Sequence, residues 1–159
     1  MNIKKIKKNN GFVLLFVVII SSIILAVTLS IANIALKEIK FSTSAKDANE
    51  AFFAADTGAE CALYYDKASL NRFIFPNPGG SITCANAIIT PTFSGNATAW
   101  SYNFYIINLG SSLQGCVKVT VDKTNTPTTK ITSKGYNIGD ASCNSTSTKR
   151  VERQLELSY

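Results

Sequence analysis

Histidine is absent from the 159 residues of this chain, and charged residues make up only 16% of it. Without an imidazole, a serine–histidine or cysteine–histidine nucleophile is excluded, and a zinc site loses one of its two usual ligands. The sequence also lacks a Ser-x-x-Lys motif, a glycine-rich phosphate loop and paired carboxylates at a recognisable spacing. We therefore predict that the chain is not an enzyme and has no metal or cofactor site.

Charge, glycine and proline are all missing from residues 12–36, called the apolar run below. As a helix rising about 1.5 Å per residue, this run is long enough to cross a hydrocarbon core of about 30 Å. Lysines precede it at Lys4, Lys5, Lys7 and Lys8. By the positive-inside rule, the N-terminus should be cytoplasmic and everything after the run extracytoplasmic. Because cleaved signal peptides have apolar regions of about 7–15 residues, removal of the whole run is not expected.

Basic residues exceed acidic ones, with a net charge of +6, but four of the lysines lie in the leader. The remaining 12 basic and 10 acidic residues leave only +2, so the pI near 9.2 reflects the leader. No nucleic-acid partner is predicted from charge. The aromatic residues that might stack on bases are assigned to the core instead: Tyr64, Tyr65, Trp100 and Tyr102.

Four cysteines lie beyond the apolar run, in the compartment predicted to be oxidising: Cys61, Cys84, Cys116 and Cys143. An even count favours two disulfides, and none of the spacings is the C-x-x-C of a zinc site. Three pairings are possible. We favour the one between sequence neighbours, where each bond closes a loop worth about 3 kcal/mol in chain entropy.

Past residue 36 the pattern becomes one-sided without a helix breaker. A stripe recurs at alternating spacings of four and three, which predicts one continuous helix to about Ala68; its members are Phe41, Ala45, Ala48, Phe52, Ala55, Ala59 and Ala62. Apolar residues then alternate with polar ones in four segments, which start near Trp100, Val117, Lys130 and Val151. We predict an α+β fold whose long helix packs by its second half against an antiparallel β-meander.

The predicted organisation is a leader (1–11), a transmembrane half-helix (12–36), an amphipathic half-helix (37–70), a loop (71–97) and the β-sheet (98–159). Two short strands are expected within the loop, at Ser81–Cys84 and Ala87–Thr90.

Two stretches resemble type IV pilins. The join Lys-Lys-Asn-Asn-Gly11 followed by Phe12-Val-Leu-Leu is similar to the pilin class III signal, and Ala51-Phe-Phe-Ala-Ala-Asp-Thr-Gly-Ala-Glu-Cys-Ala-Leu63 resembles PilX-type minor pilins and related pseudopilins. The resemblance implies that prepilin peptidase cuts after Gly11 and that Phe12 is then N-methylated. It also implies an inner-membrane subunit that is extracellular once in a filament, with membrane lipids, an assembly platform and other pilin subunits as partners.

Phe16 departs from the pattern of major pilins, which usually carry a glutamate at the fifth mature position. The resemblance therefore implies a minor subunit at the tip or in priming of a pilus or pseudopilus. A simpler alternative explains the same charge and length: a signal-anchored extracytoplasmic binding protein that does not polymerise.

Overall fold

The computed structural model describes residues 11–68, 72–75, 80–125 and 127–159. The predicted leader lysines and most of the turn at Pro76–Gly80 lie outside these residues. Helix α1 spans Gly11–Lys67, so the predicted helix and its end near residue 68 are confirmed. The chain divides into two compact units, Met1–Thr43 and Ser44–Tyr159, which are described separately.

In the described residues of the second unit, seven strands follow α1: β1 (Ile82–Cys84), β2 (Ala87–Ile89), β3 (Thr92–Gly95), β4 (Trp100–Leu109), β5 (Gly115–Asp122), β6 (Lys130–Tyr136) and β7 (Glu152–Ser158). The first two pair as an antiparallel hairpin, as predicted for the loop. The other five form one antiparallel sheet in sequence order, β3-β4-β5-β6-β7. The coarse α+β prediction is therefore confirmed, but the sheet has five strands rather than four and begins at Thr92 rather than at residue 98.

Alternation along the strands gives the sheet one buried face. Tyr102, Phe104 and Ile106 of β4 are buried, and the Val117–Val121 segment of β5 supplies three more buried valines. Together with Ile131 of β6 they form the core against the helical part of the same unit. These residues are those whose period of two predicted an inward-facing strand surface.

The helix face that meets the sheet differs from the predicted stripe. The buried positions form the alanine face, which consists of Ala51, Ala54, Ala55, Ala59 and Ala62. By contrast, Phe41 is 78% exposed and Phe52 is 44% exposed, and Ala45 is also exposed. Including these three residues was wrong: Phe41 and Ala45 precede the buried positions, which begin at Ala51, and the face against the sheet has room only for small side chains, which excludes Phe52.

The helix and the sheet approach each other closely, which explains why only small residues are buried on this helix face. A β-carbon placed on Gly58 would lie 2.6 Å from Ser133 Oγ and 2.7 Å from the Cγ2 methyls of Val117 and Val119. The Ser133 hydroxyl donates a buried hydrogen bond of 2.6 Å to the Ala55 carbonyl. The Ser133 hydroxyl and the helix backbone are in direct contact here, and a residue larger than Gly58 would prevent that contact.

Candidate functional site: an exposed apolar helix

The residues predicted to carry processing and assembly lie in the first turns of α1. Gly11 is its first residue. The side chain of Phe12 is 77% exposed and that of Phe16 is 55% exposed. Phe16 thus presents an aromatic ring at the position where the resemblance leads one to expect a carboxylate.

The apolar run is exposed on all sides of the helix. Its large side chains are between 40% and 77% exposed; they are Phe12, Val13, Leu14, Leu15, Phe16, Val17, Val18, Ile19, Ile20, Ile23, Ile24, Leu25, Val27, Leu29, Ile31, Ile34 and Leu36. In the described part of the chain, α1 is the one helix long and apolar enough to cross a membrane. Such a surface is stable only in lipid or against other apolar helices.

The hydroxyl side chains of the apolar run satisfy their hydrogen bonds locally. The hydroxyls of Ser21, Ser22, Thr28 and Ser30 donate to carbonyls three or four residues earlier, at 2.7–3.0 Å. Each hydroxyl therefore has a partner without water, which lowers the cost of placing it in an apolar medium.

Two disulfides join the cysteines that are neighbours in sequence. Cys61 of α1 is bonded to Cys84 at the end of β1, with their Cα atoms 6.0 Å apart. Cys116 of β5 is bonded to Cys143, with a Cα separation of 5.7 Å. The first bond holds the β1–β2 hairpin to the helix, and the second holds the loop between β6 and β7 to the sheet.

A carboxylate organises the loop around Cys143. Asp140 Oδ1 accepts the backbone N–H groups of Ser142 and Asn144 at 2.8 and 2.9 Å. These hydrogen bonds from the backbone of Asn144 and Ser142 lower the pKa of the Asp140 carboxyl. Arg150 donates to the Cys143 carbonyl at 2.6 Å and stacks 4.0 Å from the centre of the Tyr136 ring.

A second polar cluster ties the end of α1 to two strand ends, and sequence reasoning missed it. Asp66 is buried, pairs with the Lys123 ammonium and accepts a 2.7 Å hydrogen bond from the Tyr159 hydroxyl. Lys67 Nζ lies 4.1 Å from the centre of the Tyr159 ring. A signal was present, because Asp66 continues the 55, 59, 62 spacing of the alanine face and so falls on the buried side.

Burial raises the pKa of the Tyr159 hydroxyl, and the hydrogen bond to the Asp66 carboxylate and its negative charge raise it further. The tyrosine therefore stays protonated and remains a donor to the carboxylate. Burial likewise raises the pKa of Tyr102. At Tyr136 burial is again the largest cause, followed by the hydrogen bond to Glu152.

The aromatic residues considered for base stacking have structural partners. The Tyr102 hydroxyl donates to the Ile74 carbonyl at 2.7 Å, and the indole N–H of Trp100 donates to the Phe73 carbonyl at 3.0 Å. The Tyr65 hydroxyl bonds to the backbone of Thr83. Tyr64 alone of this set is largely exposed, at 58%.

Over the described ranges, no group of three or more histidine, cysteine, aspartate or glutamate side chains is placed to hold a metal ion. No protein-family model, no curated protein and no solved structure matches the chain.

Proposed function

We propose that this chain is a structural subunit of a type IV pilus or a related pseudopilus, in a minor role at the tip or in priming. The observation that carries the proposal is helix α1, which combines an apolar run exposed on every side with an alanine face buried under an antiparallel sheet. The first part suits a membrane and the second part carries a folded extracytoplasmic unit. The resemblance at Gly11–Phe12 and at Ala51–Leu63 supports the same role.

Exposure on all sides is compatible with a helix that changes partners. Lipid tails and neighbouring apolar helices offer similar contacts, so moving such a helix from a bilayer into a filament core changes its apolar burial little. The hydroxyls of the run are already bonded within the helix, which removes a further cost of the move.

Phe16 is the basis for the minor role. A carboxylate buried among apolar helices needs a cationic partner, whereas the phenyl ring at this position needs none and offers none. A subunit with Phe16 therefore does not supply the charge that would pair with the amine of a neighbouring subunit. This property suits a subunit that occupies a special position, not every position along a shaft.

N-terminal mass spectrometry on protein from the native membrane tests the proposal. We expect a mature chain that starts at N-methylated Phe12, and a Gly11→Val variant that retains the leader. An intact Met1 leader in the native protein would contradict the proposal and leave the signal-anchored binding protein as the explanation.

The minor role has a separate test. Purified native filaments should contain this chain at a small fraction of the main subunit, measured by quantitative peptide mass spectrometry. If it were the most abundant subunit, the tip or priming role would be wrong.

A further inference from the structure

Asn33, Lys37 and Lys40 lie on one face of α1, where the apolar run ends. At about 3.6 residues per turn, spacings of four and three place the three side chains within about 60° of the helix circumference. All three are exposed and belong to the first unit, Met1–Thr43. They are called the polar face below. Glu38, the acidic residue of this segment, lies about 100° or more from each of them.

No group in the described chain satisfies the polar face. Neither Lys37 nor Lys40 forms an ion pair there, and the Asn33 amide has no hydrogen-bond partner among the described residues. The hydroxyls of the apolar run bond to carbonyls of their own helix, so Asn33 differs from them in needing an outside partner. An amide without a partner is unfavourable in an apolar medium. The polar face therefore fits a ligand with an anionic group and a separate hydrogen-bond acceptor.

The length of the apolar run sets the depth of Asn33 in a bilayer. As a helix of about 37 Å, the run exceeds a hydrocarbon core of about 30 Å, so a centred run extends about 3–4 Å beyond the core at each end. Asn33 lies about 4.5 Å before the last residue of the run, which places it at the boundary between hydrocarbon and headgroups. Lys37 and Lys40 lie one and two turns further out, among the headgroups.

We propose that the polar face binds one anionic phospholipid, with the phosphate on Lys37 and Lys40 and a glycerol ester carbonyl on the Asn33 amide. Along the helix, two cations are followed by an amide donor and then by apolar residues. A phospholipid presents a phosphate, an ester and an acyl chain in the same order. Lysines three residues apart are neighbours on a helix face, so both can contact one phosphate. The inference rests on the membrane placement within the proposed function, not on polymerisation.

A second copy of the chain is the other occupant to consider, because asparagine side chains can hydrogen-bond across membrane helices. Two copies inserted with the same orientation would bring Asn33 level with Asn33, but they would also bring Lys37 level with Lys37. Like charges that face each other oppose this pairing, whereas an anionic headgroup attracts both lysines. Charge complementarity therefore selects the lipid.

Native mass spectrometry of the full-length chain, released from micelles that hold equal amounts of two lipids, measures which lipid it retains. We expect phosphatidylglycerol to be retained about tenfold over phosphatidylcholine, because two lysines face an anionic headgroup. Lys37→Gln/Lys40→Gln should bring this ratio to about twofold or less. In every sample the leader lysines are replaced by glutamine so that they hold no lipid; they are Lys4, Lys5, Lys7 and Lys8.

Two controls separate the polar face from overall charge. Lys118→Gln/Lys149→Gln removes two exposed lysines of the second unit and should leave the ratio within about twofold of the native value. Glu38→Gln changes an exposed charge that lies off the polar face and should have an equally small effect. If either control changed the ratio as much as Lys37→Gln/Lys40→Gln, lipid retention would be a general effect of charge and the proposal would be wrong.

The ester contact has its own test, because a diether analogue of phosphatidylglycerol lacks the carbonyl group. We expect the native chain to retain the diester lipid about fivefold over the diether lipid, the effect of one hydrogen bond. Asn33→Ala should retain the two lipids equally. Ile34→Ala, at a neighbouring exposed position without a polar group, should keep the native preference.

Equal retention of the two headgroups by the native chain, or a preference that survives Lys37→Gln/Lys40→Gln, would overturn the proposal. A dimer that Asn33→Ala abolishes, with no lipid preference, would assign the polar face to a second copy instead. These outcomes are distinguishable from failure of the filament role. A mature chain that starts at Phe12 but shows no lipid preference would leave the filament role standing, whereas the preference in a chain whose leader is retained in the native membrane would support the lipid site alone.

Discussion

Asp66 and Lys123 show at the level of single residues how the second unit is held together. Their side chains are 4% and 15% exposed, and Tyr159 donates a hydrogen bond to the same carboxylate. An ion pair this well buried contributes little net stability, but removing one member leaves an uncompensated charge in an apolar environment.

Lys123→Met should therefore lower the free energy of unfolding by about 3–5 kcal/mol. The matched control is Lys130→Met, which removes a lysine from the exposed pair with Glu156 and should cost at most about 1 kcal/mol. Lys130 and Glu156 are 2.8 Å apart with side chains 48% and 46% exposed. Urea unfolding of the full chain in detergent, followed by Trp100 fluorescence, measures both. Equal losses in the two variants would contradict the role given to burial.

The tyrosines predict how stability depends on pH. Burial is the first cause of a raised pKa at Tyr102, Tyr136 and Tyr159, so the folded chain holds protons that the unfolded chain releases near pH 10. The sign follows from linkage: the contribution is present below about pH 10 and is lost as pH rises toward the folded-state pKa values.

We expect the free energy of unfolding to fall between about pH 9 and about pH 11, and to fall less in Tyr159→Phe because one of the three groups is gone. Urea unfolding across this interval, with tyrosinate absorbance as the second signal, checks the prediction. A variant that loses as much stability as the native chain over the same interval would show that Tyr159 does not contribute.

At the level of elements, the helix–sheet contact depends on glycine on both sides. A β-carbon on Gly135 of β6 would overlap the Ala51 carbonyl oxygen and the Ala55 amide nitrogen of α1. These are backbone atoms of a helix and cannot move aside. On Gly58 the neighbouring atoms belong to side chains, which have some freedom to shift.

Gly135→Ala should therefore cost about 3 kcal/mol or slightly more, and Gly58→Ala about 1–2 kcal/mol after the gain in helix propensity is subtracted. Asn49→Ala, at an exposed position of the same helix, is the control and should be neutral or slightly stabilising. Thermal unfolding followed by near-ultraviolet circular dichroism ranks the three. A Gly135→Ala variant as stable as the native chain would refute the close approach.

The length and the period of an element decide whether the sequence predicts it. The apolar run is predicted by its length and strands β4–β7, each of at least seven residues, by their period of two, and all are present. The β1–β2 hairpin was predicted from two short apolar segments within the loop. Strand β3 was missed because Thr92-Phe-Ser-Gly95 is too short to show alternation, and its pairing with β4 decides its conformation.

The misplaced helix stripe has a different cause. The sequence pattern identified a helix face by its hydrophobic residues, and so it wrongly included Phe41 and Phe52, which are exposed. The burial that occurs is selected by size, because Gly135 and Ser133 bring the strand backbone against the helix. The size of a helix residue predicts its burial only when the surface packed against the helix is known. Within the candidate site, the apolar run could be predicted from the sequence. The Asp66 cluster depends on contacts between residues that are 57 and 93 positions apart in the chain, which a local sequence pattern does not reveal.

At the level of the whole molecule, the core belongs entirely to the second unit. Every buried apolar residue of the described chain lies at or after Ala51, and both disulfides lie within Ser44–Tyr159. A chain beginning at Ser44 should therefore fold alone in aqueous buffer, without detergent. Cooperative thermal unfolding and a mass consistent with two disulfides are the expected results. Aggregation, or broad unfolding with free thiols, would show that the apolar run is needed for folding.

Strand β7 has a further consequence for contact between copies of this chain. Among the described strands it is the last of the sheet, and one row of its backbone N–H and C=O groups has no strand neighbour there. Such an edge invites fibre-like pairing between molecules. Glu152, Arg153, Gln154 and Glu156 place three charges and an amide along it, six of its seven residues are exposed, and charged edges of this kind resist uncontrolled edge-to-edge growth. The sheet is thereby protected from self-templating.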